Sequence, residues 1–229
     1  MKKNSYIGIT FIILVFGIIF IPKIVDRVQN DDIVDLDRMS NNTNNFETTV
    51  SSEEELVAFN EVPDFNFINQ NGDEVDNNYY NDKVYVVEFF FSTCPSICPI
   101  MNTNMLKVQE AFKTREDFGI ASFTIDPEHD TPEVLKEYAN AYEANHPHWN
   151  FLTGDKGDIM KLSNEGFKLY AAENEEVEGG FEHSGLFALI DKNGKIRSRK
   201  DENGNPIIYY NGLEDEGVKM LIADIKKLL

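Results

Sequence analysis

The chain has 229 residues and a formal net charge of −19, from 21 lysines and arginines against 40 aspartates and glutamates. This acidity argues against a protein that tracks a nucleic-acid backbone, because such proteins neutralise phosphates with Lys and Arg. A hydrophobic content of 41% with 17 Phe and 9 Tyr excludes wholesale disorder. The length suffices for one domain with a full core and something extra.

The N-terminal segment predicts a membrane anchor. Tyr6–Ile21 carries no charge, and a helix from Ser5 to Val25 would be about 31 Å long, enough for a ~30 Å hydrocarbon core. No small-x-small motif follows, which argues against a cleaved signal peptide, and no nearby cysteine suggests a lipoprotein. We expect residues 1–25 to be a single-pass anchor in the cell (inner) membrane, with the C-terminal domain on the periplasmic or extracytoplasmic side.

Residues 26–61 predict a tether between this anchor and the domain. The segment is acidic and rich in Asn, Ser and Thr, with stretches such as SNNTNN and SSEEE and no hydrophobic period. Such a composition is typical of solvated, flexible chain. The domain proper is expected to span residues 62–229.

Hydrophobic periodicity and turn residues then predict alternating strands and helices. The run KVYVVEFFF at Lys83–Phe91 is apolar almost throughout, which is typical of a strand buried on both faces. The other predicted elements are a hairpin turning at Asn69–Gly72, a helix over Pro99–Phe112, a strand over Phe118–Ile125, a helix from Asp130–Glu133 to Tyr142, a strand over Trp149–Leu152, a helix over Asp158–Tyr170, a hairpin of Ser184–Asp191 with Lys195–Arg199, and a final helix over Glu214–Leu229. The acidic stretch 172–181 is interpreted as a loop. This order predicts an α/β, thioredoxin-like fold with a central mixed sheet flanked by helices.

The only two cysteines, Cys94 and Cys98, lie in the loop between the buried strand and the first helix. One close pair cannot form a disulfide framework, so redox or metal chemistry is expected. Their C-x3-C spacing places the two sulfurs about one helical turn apart, and Pro95 and Pro99 stiffen the loop. Thiols at a helix N-terminus are acidified. Two such thiolates indicate either a Cu(I) site or a dithiol/disulfide couple.

His183 is the candidate third donor. It follows a Gly-Gly segment, in the loop where a thioredoxin would carry a cis-proline facing the cysteines. His146 and His148, in NHPHW, resemble a metal pair by composition but lie in a loop far along the chain, and His129 precedes a helix start. We interpret these three as ordinary surface histidines.

These residues resemble the Sco/SenC family, copper proteins that help to assemble the copper A centre of cytochrome c oxidase. The matching stretches are FFFSTCPSICPIM, TIDPEHDTPEVLKEYA, WNFLTG and HSGLFALIDKNGK. The resemblance implies that Cys94, Cys98 and His183 are the copper ligands and that the copper A-bearing oxidase subunit is the partner. Ser96 and His129 depart from the Asp and Arg usual in the family.

Three functions are weighed. The first is a copper-binding assembly factor without turnover, and the second is a membrane-tethered thiol-disulfide oxidoreductase that acts on partner cysteines. The third is a peroxidase of the peroxiredoxin kind, for which the x3 spacing and His183 have no role. Zinc is the competing metal, but a structural zinc site needs four donors and only three are convincing. We expect copper binding rather than enzymatic turnover.

Overall fold

The computed structural model describes Leu14 and residues 55–174 and 176–229. The chain divides into two units, residues 1–50 and 51–229, and every element described below belongs to the second. No helix within the described residues has the length and apolarity that a membrane crossing requires. Apart from Leu14, the predicted anchor (residues 1–25) lies outside the described residues, as does the predicted tether up to residue 54.

Eleven strands and four helices are described in this second unit. The strands are β1 (Val57–Glu61), β2 (Asn66–Asn69), β3 (Glu74–Asp76), β4 (Val84–Phe90), β5 (Phe118–Thr124), β6 (Trp149–Thr153), β7 (Ala171–Glu173), β8 (Phe181–His183), β9 (Leu186–Ile190), β10 (Lys195–Ser198) and β11 (Tyr210–Asn211). The helices are α1 (Cys98–Phe112), α2 (Pro132–Ala141), α3 (Lys156–Lys161) and α4 (Asp215–Leu228), with a 3₁₀ turn at Asn77–Tyr80.

A mixed sheet forms the centre of the fold, in the order β1-β10-β9-β4-β5-β6-β2-β3, and β11 pairs with the beginning of β9. Strands β4, β5 and β6 are parallel, whereas β9 runs antiparallel to β4. All seven residues of β4 are buried, as the apolar run KVYVVEFFF predicted. The predicted α/β architecture with helices flanking a central mixed sheet is confirmed.

Both faces of the sheet are covered, because successive residues of β4 point to opposite sides. Phe90 stacks on Tyr138 of α2, with ring centroids 5.3 Å apart. Phe89 lies on the other face, where its ring is 5.4 Å from Phe123 and 5.7 Å from Phe167. The core is therefore aromatic on both sides of the strand that leads into the cysteine loop.

The structure differs from the predicted elements in three places. Residues 57–61, assigned to the tether, form edge strand β1 on β10, so the ordered domain begins before residue 62. The predicted helix 158–170 begins at Lys156, widens into a π-helical turn over Leu162–Phe167 and ends at Lys168, which adopts a left-handed conformation. The stretch 172–181, interpreted as a loop, contributes to the β7–β8 hairpin.

Candidate metal and thiol site

The two cysteines lie where the central strand passes into helix α1. Cys94 closes a turn, in which its backbone N–H donates to the Phe91 carbonyl at 3.2 Å. Cys98 is the first residue of α1, and Pro99 follows it at a position where the missing N–H costs no helical hydrogen bond. The Cys98 N–H donates to the sulfur of Cys94 at 3.5 Å. The helix N-terminus is therefore aimed at Cys94.

His183 reaches the cysteines because of how β9 pairs with β4. The antiparallel register sets Val87 opposite Ala188 and Tyr85 opposite Ile190, so the beginning of β9 lies beside the end of β4. His183 ends strand β8, three residues before β9 begins. It was expected in a loop, and the structure places it in a strand.

The imidazole of His183 is oriented by its own backbone environment. Its Nδ1 lies 3.2 Å from the Ser184 carbonyl oxygen, which can only accept, so Nδ1 carries the proton. Its Nε2 then presents a lone pair and lies 3.1 Å from Sγ of Cys98. The edge of the Phe91 ring packs against the imidazole at a centroid distance of 5.8 Å. This ring is thus prepared as a donor through Nε2.

The structure brings together all three side chains that the sequence singled out. The ligand atoms of Cys94, Cys98 and His183, here called the Cys–His cluster, all lie within 4.8 Å of one another. Among the described residues, no other group of three or more His, Cys, Asp and Glu side chains meets this criterion. The donors are two soft sulfurs and one imidazole nitrogen.

The two thiols differ in exposure and in acidity. Cys94 is 8% exposed and Cys98 1% exposed. A hydrogen bond shared with Cys98 lowers the pKa of Cys94, and weaker hydrogen bonds from the backbone of Ser96 and Cys98 act in the same direction against burial. The same shared hydrogen bond, together with burial, raises the pKa of Cys98. The thiolate therefore resides on Cys94, the more accessible sulfur.

A buried carboxylate fixes the start of the cysteine loop, and the sequence did not reveal this role. Asp130 is fully buried and accepts hydrogen bonds from the Ser92 N–H at 3.0 Å and from the hydroxyls of Ser92 and Thr124. Nδ1 of His129 lies 3.0 Å from the same carboxylate. These contacts join the ends of β4 and β5 two residues before Cys94. The only sequence signal was an acid next to the helix start in DPEHDTP.

A second buried acid, Glu88, lies in the middle of β4. Its Oε1 accepts a hydrogen bond from the Ser122 hydroxyl at 2.6 Å, and Ser122 accepts one from the Trp149 indole at 2.9 Å. Its other oxygen has no partner among the described residues. Burial raises the pKa of Glu88 to about 7, against the hydrogen bond from Ser122. The sequence signal was that Glu88 is the only ionisable acid in an otherwise apolar strand.

The remaining histidines do not join the Cys–His cluster. The rings of His146 and His148 are 6.0 Å apart. Nε2 of His146 lies 3.3 Å from the Phe112 carbonyl, and Nε2 of His148 lies 3.0 Å from a Glu116 carboxylate oxygen. His146 is buried, so its interpretation as a surface histidine was wrong. His129 is half exposed and contacts Asp130.

Comparison with known proteins identifies relatives of this fold and site. The SCO1/SenC family model matches residues 53–216. The SCO1 protein homolog of Bacillus subtilis (strain 168) is 33% identical over 168 residues, which are 72% of this chain and 81% of that protein.

Two solved structures show the same fold. BsSco, a member of the Sco family of cytochrome c oxidase assembly proteins in which a disulfide switch was identified, has a TM-score of 0.64 at 30% identity, over 77% of this chain and 97% of that one. Copper-bound ScoI of Bradyrhizobium japonicum has a TM-score of 0.58 at 25% identity, over 74% of this chain and all of that one. The resemblance found in the sequence is confirmed.

Proposed function

The chain belongs to the SCO1/SenC family, and on that premise we propose that it binds copper through Cys94, Cys98 and His183 during the assembly of cytochrome c oxidase. In this role it delivers copper to the copper A site, or prepares the thiols of that site, as a binding protein without turnover. The observation that carries the proposal is the convergence of these three ligand atoms within 4.8 Å.

The donor set suits copper better than zinc. Thiolates are the ligands that select Cu(I), and imidazole also suits copper. Structural zinc sites take four protein donors, and no fourth His, Cys, Asp or Glu joins the Cys–His cluster among the described residues. Copper bound here would be cargo, held by two sulfurs and Nε2 of His183. Oxidation of Cys94 and Cys98 to a disulfide would remove two of these donors.

The asymmetry of the two thiols favours a second candidate, thiol-disulfide exchange with partner cysteines. The Cys94 thiolate attacks one sulfur of a partner disulfide, a Cys94–partner bond forms, and the partner's other sulfur leaves as a thiolate. Cys98 then loses its proton and attacks the Cys94 sulfur. The bond to the partner breaks, and its second thiolate leaves and is protonated. The chain ends oxidised and the partner reduced.

The proposed location is the outer side of a membrane. The uncharged segment Tyr6–Ile21 behind Lys2 and Lys3 supports an anchor with the domain outside the cytoplasm. A reporter that is active only after export, fused behind Leu229, should be active. Activity of a reporter that works only in the cytoplasm would contradict this placement.

One experiment separates the two functional candidates. The reduced full chain is loaded with one equivalent of Cu(I) and mixed with a purified, metal-free copper A domain, which is either reduced or oxidised. The copper and the free thiols of each protein are then counted. Movement of copper to the reduced domain supports delivery, and reduction of the oxidised domain by the unloaded chain supports exchange. His148→Ala should behave as wild type. Failure to bind copper would contradict the first candidate.

A further inference from the structure

Strand β8 has an edge that points away from its partner β7. At the two ends of this ladder, the Asn174 N–H donates to the Gly180 carbonyl and the Ser184 N–H donates to the Tyr170 carbonyl. Hydrogen-bonded and non-hydrogen-bonded pairs alternate along an antiparallel ladder. The two bonds belong to the pairs Asn174–Gly180 and Tyr170–Ser184, which flank the three pairs of the ladder. Of those three pairs, only the middle one, Ala172 with Glu182, is therefore hydrogen-bonded.

In the other two pairs of the ladder, Ala171–His183 and Glu173–Phe181, the backbone N–H and C=O groups of each residue point away from the partner strand. On the β7 side this edge is occupied, because the Asn164 side chain accepts from the Ala171 N–H at 3.1 Å and donates to the Ala171 carbonyl at 2.8 Å. On the β8 side the outward groups belong to Phe181 and His183. In the part of the chain that the structure describes, no strand pairs with this edge and no backbone group bonds to it. Such an edge is a template for an added strand.

A cleft of about 490 Å³ lies between β8 and the cysteine loop. This volume falls in the range of ligand-binding pockets, about 300–1,000 Å³. Its lining includes Phe91, Cys94, Ile97, Tyr170, Phe181 and His183. Cys98 does not line it, so a molecule in the cleft meets the sulfur of Cys94 first.

The turn between β7 and β8 lies against the loop that carries Cys94. Gly179 has a φ of +94°, and a Cβ there would lie 3.0 Å from the Phe91 ring and 3.1 Å from Pro95. A side chain at this position would be strained by its backbone angle and crowded by the loop. The glycine therefore lets the β7–β8 hairpin approach the loop that carries Cys94.

The surface around the cleft is apolar and acidic. Tyr170, which lines it, is 56% exposed, and Ile100, two residues after Cys98, is 48% exposed. In residues 55–174 and 176–229 the one other exposed large apolar side chain is Ile208, at 40%. Glu178 and Glu182 line the cleft, and no Lys or Arg among the described residues does. This chemistry suits an occupant with an apolar and a basic side chain.

We propose that this cleft binds an extended, cysteine-bearing segment of a protein partner, which adds to the outer edge of β8 as a strand. The added strand bonds to the backbone of Phe181 and His183, lays an apolar side chain against Tyr170 and turns a basic one toward Glu178 and Glu182. Its cysteine then lies over Cys94. The inference rests on the proposed function, since it describes how a partner thiol is presented to the site.

Thiol exchange with synthetic peptides tests the added strand. The peptides carry a cysteine as its 2-pyridyl disulfide, next to a leucine and an arginine. Cys94 of the full-length Cys98→Ser variant attacks the peptide sulfur, the bond to the pyridyl sulfur breaks, and pyridine-2-thiolate leaves and is protonated to the thione, whose absorbance is followed. Without Cys98 the mixed disulfide persists.

Backbone N-methylation distinguishes strand addition from other docking. Two peptides of identical composition carry methyl groups on alternate residues, in opposite registers. In an added strand, alternate N–H groups point to the same side, so one peptide should react about tenfold more slowly than the unmethylated peptide and the other at its rate. Equal rates for the two methylated peptides would overturn the proposal.

Substitutions around the cleft test which side chains recognise the segment. Tyr170→Ala and Glu178→Lys should slow the arginine-bearing peptide several-fold, and the matched controls Ile208→Ala and Glu202→Lys should not. A pyridyl disulfide of N-acetylcysteine, which has no strand to add, should react equally with all four variants and so reports an intact Cys94. An unchanged rate with Glu178→Lys would contradict the acidic rim.

The same variants separate this inference from the proposed function. None of the four substitutions removes a ligand, so each variant should bind copper as wild type does. Loss of strand addition with copper binding intact would leave the proposed function standing. Failure of the wild-type chain to bind copper, with peptide rates as expected, would overturn the copper role alone.

Discussion

Nε2 of His183 lies 3.1 Å from Sγ of Cys98, although 85 positions separate the two residues in the chain. The contact depends on two features of the fold. Strand β9 runs antiparallel to β4, and the β7–β8 hairpin returns the chain to the end of β4. A nitrogen donor is thereby held beside two sulfurs that come from one short loop. We regard this pairing as the central feature of the molecule.

Replacement of Asp130 by asparagine should destabilise the domain. The Asp130 carboxylate accepts hydrogen bonds from Ser92 and Thr124 and is fully buried. An amide accepts through one oxygen only and leaves a buried donor unpaired, so Asp130→Asn should lower the free energy of unfolding by about 3 kcal/mol. Urea unfolding measures this loss. Asp126→Asn, a partly exposed acid in the same loop, should change it by less than about 1 kcal/mol; similar losses for both would contradict a special role for Asp130.

Glu88 should make stability depend on pH. Burial raises the pKa of Glu88 to about 7 in the folded protein, from 4.5. The folded state therefore holds the proton more tightly than the unfolded state, and this contribution to stability is lost as pH rises from about 4.5 to 7. The loss amounts to about 3 kcal/mol.

The substitution Glu88→Gln removes the titrating proton. Between pH 5 and pH 7.5, the free energy of unfolding of the reduced wild-type chain, measured in urea, should fall by about 2 kcal/mol more than that of the variant. Glu202→Gln, in an exposed turn, should keep the wild-type decline. If the free energy of unfolding changes with pH in the same way for wild type and Glu88→Gln, Glu88 is ionised in the folded protein and the prediction is wrong.

Asp224 should stabilise the C-terminal helix through a buried ion pair. It is fully buried and accepts hydrogen bonds from Arg199 at 2.6 Å and from the Tyr210 hydroxyl at 2.9 Å. Burial raises the pKa of Asp224, but the hydrogen bonds from Arg199, Lys227 and Tyr210 outweigh it and hold the pKa below its usual value. This stabilisation is present above the unfolded-state pKa and is lost as pH falls through the lowered folded-state value.

Removing the charge at Asp224 tests this ion pair. Asp224→Asn should lower the free energy of unfolding by about 3 kcal/mol at pH 7, because the Arg199 guanidinium is left without its counter-ion. The matched control is Asp215→Asn on the same helix, whose 70% exposed side chain pairs with Lys107; its effect on the free energy of unfolding should be much smaller, because solvent screens an exposed ion pair. Equal effects of the two substitutions on urea unfolding would contradict the account.

Much of the fold could be predicted from local patterns. The apolar run over Lys83–Phe91 predicted the central strand, and Thr131–Pro132 predicted the start of α2, where the Thr131 hydroxyl accepts from the backbone. The C-x3-C spacing predicted that Cys94 and Cys98 would be neighbours, because only three residues separate them in one short loop. His183 was found by its place relative to the last hairpin.

Other features depend on contacts that local patterns do not encode. The strands of the β7–β8 hairpin have three residues each and lie in an acidic stretch, so neither shows a period. Strand β1 is stable through its pairing with β10 rather than through a buried face of its own. Residues of the types of Glu88 and Asp130 are rarely buried unless paired, and only the structure shows that Asp130 is fully bonded whereas one oxygen of Glu88 has no partner among the described residues.

The Cu(I) affinity of the His183→Ala variant tests the central claim most directly. It is measured by competition with a chromophoric chelator on the reduced full chain, beside wild type and His148→Ala. Loss of a residue that hydrogen-bonds a metal ligand typically weakens metal binding ten- to 100-fold. Loss of the ligand itself should cost more, so the Cu(I) affinity should fall by at least about 100-fold. Cys94 and Cys98 should still oxidise to a disulfide in the variant, and His148→Ala should bind as wild type. A His183→Ala chain that binds Cu(I) as tightly as wild type would contradict the three-ligand site.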